Sequence, residues 1–80
     1  MHITIFTVGI RHNPPPDEAL LLDAMWAHIR PEDRVEHVRI RAGPGQLSVA
    51  LFLLAPDQRH AQKSTDEIRQ RIADLPLFRN

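Results

Sequence analysis

The sequence predicts one α+β domain whose elements run strand, helix, strand, strand, helix. Three observations carry that expectation. β-Branched and aromatic residues cluster at Ile3–Ile10, and Arg34–Arg41 and Gln46–Leu54 carry period-two patterning. Two further stretches carry apolar residues at helical spacing. Pro and Gly punctuate the junctions. Residues 1–80 fit a single domain, whose thin core buries about 60% of the surface that the unfolded chain exposes.

The first strand spans Ile3 to Ile10, and the stiff "RHNPPP" leads out of it. A first helix is expected from about Pro15 to Ile29. Pro16 suits an opening helical position, and Asp17 and Glu18 follow where the helix dipole favours anions. Leu22, Met25, Trp26 and Ile29 have the spacing of one buried stripe, widened by Leu20 and Leu21. Pro31 disfavours helical geometry at Arg30 and closes the element.

The second strand, Arg34 to Arg41, alternates: Val38 and Ile40 point one way, His37, Arg39 and Arg41 the other. "AGPG" at Ala42–Gly45 is a turn. In the third strand Leu47, Val49, Leu51 and Leu53 line one face, and Ser48, Ala50, Phe52 and Leu54 the other. The second helix has two candidate starts, an Asp57 cap or a Ser64–Glu67 capping box. Ala61, Thr65, Ile68, Ile72 and Leu75 keep one face throughout, which favours the long helix from Asp57 to Asp74.

This order resembles the ferredoxin-like plait, with an antiparallel three-stranded sheet of order 1-3-2. The greasy third strand belongs in the middle, and the charged second strand is an edge defended by its charges. "LPLFRN" leaves room for a short fourth strand at Leu77 to Asn80 beside the first. Failing that, the first strand's edge stays open to another chain.

Two helices cover one face of such a sheet. The other face is apolar whichever way the first strand points, because Phe6, Val8 and Ile10 form one apolar set and Ile3, Ile5 and Thr7 the other. A patch of this kind, several hundred Å² in a monomer, marks a contact surface. The expected interface residues are Phe6, Val8, Ala50 and Phe52, rimmed by His37, Arg39 and Arg41.

Chemical motifs are sparse. Net charge is zero with ten cations and ten anions, which argues against a general nucleic-acid binder, and ribonucleoprotein motifs are missing. The five histidines have no metal-ligand spacing, so neither metal nor cofactor is expected. Ser48 and Ser64 have no adjacent base, so nucleophilic catalysis has no visible machinery and the reading leans away from an enzyme. Met25 and Trp26 read as core residues. Without cysteines there is no disulfide framework, which fits a cytoplasmic protein, and no signal peptide or membrane span is read from the chain.

The leading expectation is an accessory or regulatory protein acting through its open sheet face, as a homodimer or with a partner protein. The alternative is a small-molecule-binding or enzymatic protein resembling the dimeric α/β barrels, with a pocket between two sheets lined by His37, Arg39 and Arg41.

Overall fold

The computed structural model describes residues 1–10 and 17–75. Strand β1 (His2–Gly9) leads to helix α1 (Glu18–Ala27), and a 3₁₀ turn at Pro31–Asp33 follows. Strands β2 (Val35–Gly43) and β3 (Gln46–Leu53) form a hairpin, and helix α2 (Gln58–Ala73) ends the described fold. The sheet order is β1-β3-β2 with both pairings antiparallel, the arrangement of the ferredoxin-like plait. The start of the first helix at Pro15 and Pro16, His12, and a fourth strand at 77–80 lie outside the described residues. No described helix is long and apolar enough to cross a membrane.

The hairpin turns on two residues. Pro44 presets its backbone, and Gly45 takes φ 75°, a pairing that belongs to a type II turn. The strands therefore run closer to the turn than the alternation alone indicates. On β3 the inner face is sealed: Leu47, Val49, Leu51 and Leu53 have no solvent exposure. α2 packs over β1 and α1 over β2, and both cover this inner face.

α2 follows the long reading. Asp57 is its N-cap and accepts the His60 backbone N–H at 2.8 Å, while Ser64 sits in mid-helix and caps nothing. Ala61, Thr65, Ile68 and Ile72 are buried, and Leu75 packs against the same core.

α1 departs from expectation. Asp17 is its N-cap rather than a first-turn residue, accepting Ala19 N–H at 2.8 Å. The helix ends at Ala27, not Ile29, because Arg30 is extended (ψ 153°) as the residue before Pro31. The buried pair is Leu21 and Met25; Leu22 and Ile29 are partly covered, while Trp26 and Leu20 face solvent. Because "ALLLDAMWA" is apolar nearly all round, spacing alone does not fix which stripe turns inward.

A buried polar link joins β1 to α2. Thr65 Oγ1 donates to the Ala61 carbonyl at 2.8 Å, which uses its single proton. Thr4 Oγ1, 2.6 Å from Thr65 Oγ1, is therefore the donor between the two hydroxyls.

Candidate functional site: the open sheet face

Register places three rows on the face that the described helices leave uncovered. Ile3, Phe52 and His37 form the first; Ile5, Ala50 and Arg39 the second; Thr7, Ser48 and Arg41 the third. β1 thus resolves its two-way choice. Ile3 and Ile5 face outward at 56% and 72% exposure, whereas Phe6, at 8%, and Val8 lie under the helices. Phe6 and Val8 therefore leave the candidate interface, and Ile3 and Ile5 replace them. The cause is pairing parity: Phe6 pairs with Val49 and Val8 with Leu47, both turned toward the helices. With both sets of β1 residues largely apolar, hydrophobicity held no signal for this choice.

Ala50 and Phe52 lie on the open face as expected, and both are half-buried. His37, Arg39 and Arg41 share that face and are exposed. The His37 ring sits 5.5 Å from the Phe52 ring, tilted by 59°, which covers part of the aromatic surface. A β-bulge between Val35 and His37 sets the parity that turns His37 outward. Ile5, Arg39, Arg41, Ser48 and Ala50 line a shallow depression of about 360 Å³.

Charge on this face is segregated. Residues 11–16 and 76–80 contain no Asp or Glu, so all ten side-chain carboxylates belong to described segments. None occupies the three rows, although the chain is neutral in sum. Among the described residues neither Arg39 nor Arg41 forms an ion pair, and the guanidinium pair that does form lies elsewhere.

That pair is Asp33 and Arg71, and single-residue patterns gave no sign of it. Asp33, in the 3₁₀ turn, is only 5% exposed. It accepts from Arg71 Nη1 at 3.1 Å, Arg71 Nη2 at 3.0 Å and Arg30 N–H at 2.8 Å. Burial pushes the Asp33 carboxyl up. The hydrogen bonds from Arg71 and Arg30 and their charges more than offset this, so its pKa falls below the ordinary value. Arg71 also donates to the His28 carbonyl at the end of α1, so it ties the two helices' ends together.

Among the described residues, the other histidines have local roles. His2 Nδ1 bonds Gln58 Oε1 at 3.1 Å, and His28 is the C-cap of α1. His60 Nδ1 lies 2.8 Å from Asp57 Oδ1, and Ser64 lines the same cleft as His60 one turn on. The Asp57 oxygen also caps α2. The His60 backbone N–H, followed by the His60 ring, holds its carboxyl below the ordinary value. Ser64 makes no hydrogen bond with His60 among the described residues, so this Asp–His–Ser series is a helix start rather than an assembled nucleophile.

Comparisons with protein-family models, curated proteins and solved structures return no match. The open face is therefore read from its own geometry.

Proposed function

We propose that this chain is a cytoplasmic accessory or regulatory protein that works by contact, pairing its open sheet face with that of a second copy. The observation that carries the reading is the outward pair Ile3 and Ile5 beside the half-buried Phe52, on a sheet whose helices cover only the opposite side. Enclosing what each of these side chains still exposes contributes about 1–2 kcal/mol.

Symmetry selects the arrangement. A two-fold axis lying across the strands stacks β2 on β2 and brings like charges together. An axis parallel to the strands sets β2 of one copy over β1 of the other. Arg39 then faces Ile5, and His37 faces Ile3, of the second copy. Arginine stems can cover isoleucines while their heads reach the rim.

Light scattering at tens of micromolar tests the reading. The wild type is expected at twice the 9.2 kDa chain mass, and Phe52→Asp at the mass of one chain with an unchanged circular dichroism spectrum. A wild type at single-chain mass, or a Phe52→Asp protein at wild-type mass, overturns it.

A further inference from the structure

We infer that the open face binds an organic anion with an apolar tail, its head held by Arg39 and Arg41 and its body laid along β3 toward Phe52. The inference deepens the proposed pairing, because the second copy supplies the other wall of the slot.

The three rows are graded. At the hairpin end Arg41, Ser48 and Thr7 present one guanidinium and two hydroxyls in register. The next row is Arg39, Ala50 and Ile5, and the last is His37, Phe52 and Ile3. Polarity thus falls along a single direction. Ser48 and Phe52 are four residues apart on β3, about 14 Å at the rise of an extended strand. A carboxylate or sulfonate with a chain of eight to ten carbons, about 10 Å long, fits within that span.

The charge on this face calls for an anion. Arg39 and Arg41 stand two residues apart on the same side, flanking the 360 Å³ depression, with no carboxylate in any of the rows. Pairing two copies sets two such guanidiniums at each rim of the slot, with no carboxylate in the rows that face them. A guanidinium fork binds a carboxylate in bidentate fashion, and the hydroxyls of Ser48 and Thr7 can donate to the same head. Inorganic phosphate satisfies only the head. A nucleic-acid strand satisfies the charge but needs flat stacking platforms, and the single phenyl ring among the described residues of the open face, Phe52, is tilted against His37.

The test is a titration of ¹⁵N-labelled protein with sodium octanoate, well below its micellar range, followed by amide shifts. The expected result is a saturable response centred on Thr7, Arg39, Arg41 and Ser48. Octanol should bind about tenfold more weakly or worse, and Arg41→Gln should weaken octanoate by a similar factor without changing the mass in light scattering. The inference is overturned if octanoate gives no saturable response, if octanol matches it, if phosphate alone binds as tightly, or if oligouridylate binds more tightly. A dimer that ignores octanoate sinks the anion seat and leaves the pairing intact. A single-chain mass with a saturable octanoate response sinks the pairing and leaves the seat on one face.

Discussion

Asp33 and Arg71, 38 positions apart, meet in a two-pronged ion pair that fastens the turn before β2 to the last turn of α2. The same guanidinium holds the carbonyl of His28 at the end of α1. One cation therefore serves both a buried carboxylate and a half-buried helix terminus, and it fixes how the two helices sit at this end of the sheet. Such a pair specifies geometry more than it adds net stability, but losing one partner strands the other.

Asp33→Asn tests this. The amide keeps the shape but loses the charge, and Arg71 is left partly buried without its anion. The expected cost is about 2–3 kcal/mol in urea unfolding at pH 7. The folded-state pKa of Asp33 lies below the ordinary 3.8, so its stabilisation is complete at neutral pH. It falls as acid approaches that ordinary value and is gone once pH passes below the lowered one. The stability gap between wild type and Asp33→Asn should close over that window. A gap that stays constant into strong acid contradicts the assignment.

Thr4 and Thr65 offer a sharper test of direction. Thr4→Val removes a donor but leaves Thr65 bonded to Ala61. Thr65→Val strands the buried Thr4 hydroxyl, at a cost of about 1–3 kcal/mol. The single change at Thr4 should therefore cost less than that at Thr65, and the double valine should recover part of the loss. Chemical denaturation of the four proteins gives the coupling directly; additive losses mean that the two hydroxyls do not interact.

These links mark the boundary of what the sequence makes legible. β3, the hairpin and the full length of α2 can be read from it because each has one dominant pattern. β3 repeats Leu47, Val49, Leu51 and Leu53 at a strict period of two, "GPG" admits few backbones, and Asp57 stands one residue before a long amphipathic face. α1 and β1 are apolar on more than one side, so patterning names the element but not its buried face. Patterning is therefore silent on the turning inward of Leu21 rather than Leu22, and on the turning outward of Ile5 rather than Phe6. The outward placing of His37, Arg39 and Arg41 follows from alternation in β2. The absence of any acid from the three paired rows is a property of three strands in register, which no one strand displays. The Asp33–Arg71 pair depends on a 3₁₀ turn that "RPEDR" does not announce.

The facing of β1 gives a paired experiment. Ile5→Asp places a charge in water and should leave stability within about 0.5 kcal/mol, while abolishing the dimer. Phe6→Ala removes a ring from beneath the helices and should cost about 3–5 kcal/mol. Thermal melts and light scattering read both. If Ile5→Asp unfolds the chain while Phe6→Ala is harmless, β1 faces the other way and the surface described for it is wrong.

Arg34 links the turn to the start of β2 at a backbone cost. Its φ of 57° and ψ of 34° are left-handed, a region that most side chains avoid by about 1–2 kcal/mol. The neighbours hold it there: its N–H bonds the Pro31 carbonyl at 3.1 Å, and its own carbonyl accepts Leu54 N–H at 2.8 Å. A chain that must reverse after Asp33 and still pair Val35 with Leu53 has little room for an extended residue in between. Arg34→Gly should therefore be neutral or raise the melting temperature, because relief of strain outweighs the added freedom of the unfolded chain. Gly45→Ala, at φ 75°, imposes the same strain on the hairpin and should lower it. The two shifts should have opposite signs, since one removes a side chain from a left-handed position and the other adds one. A fall in melting temperature for Arg34→Gly comparable to that for Gly45→Ala means that the Arg34 side chain contributes contacts worth more than its strain.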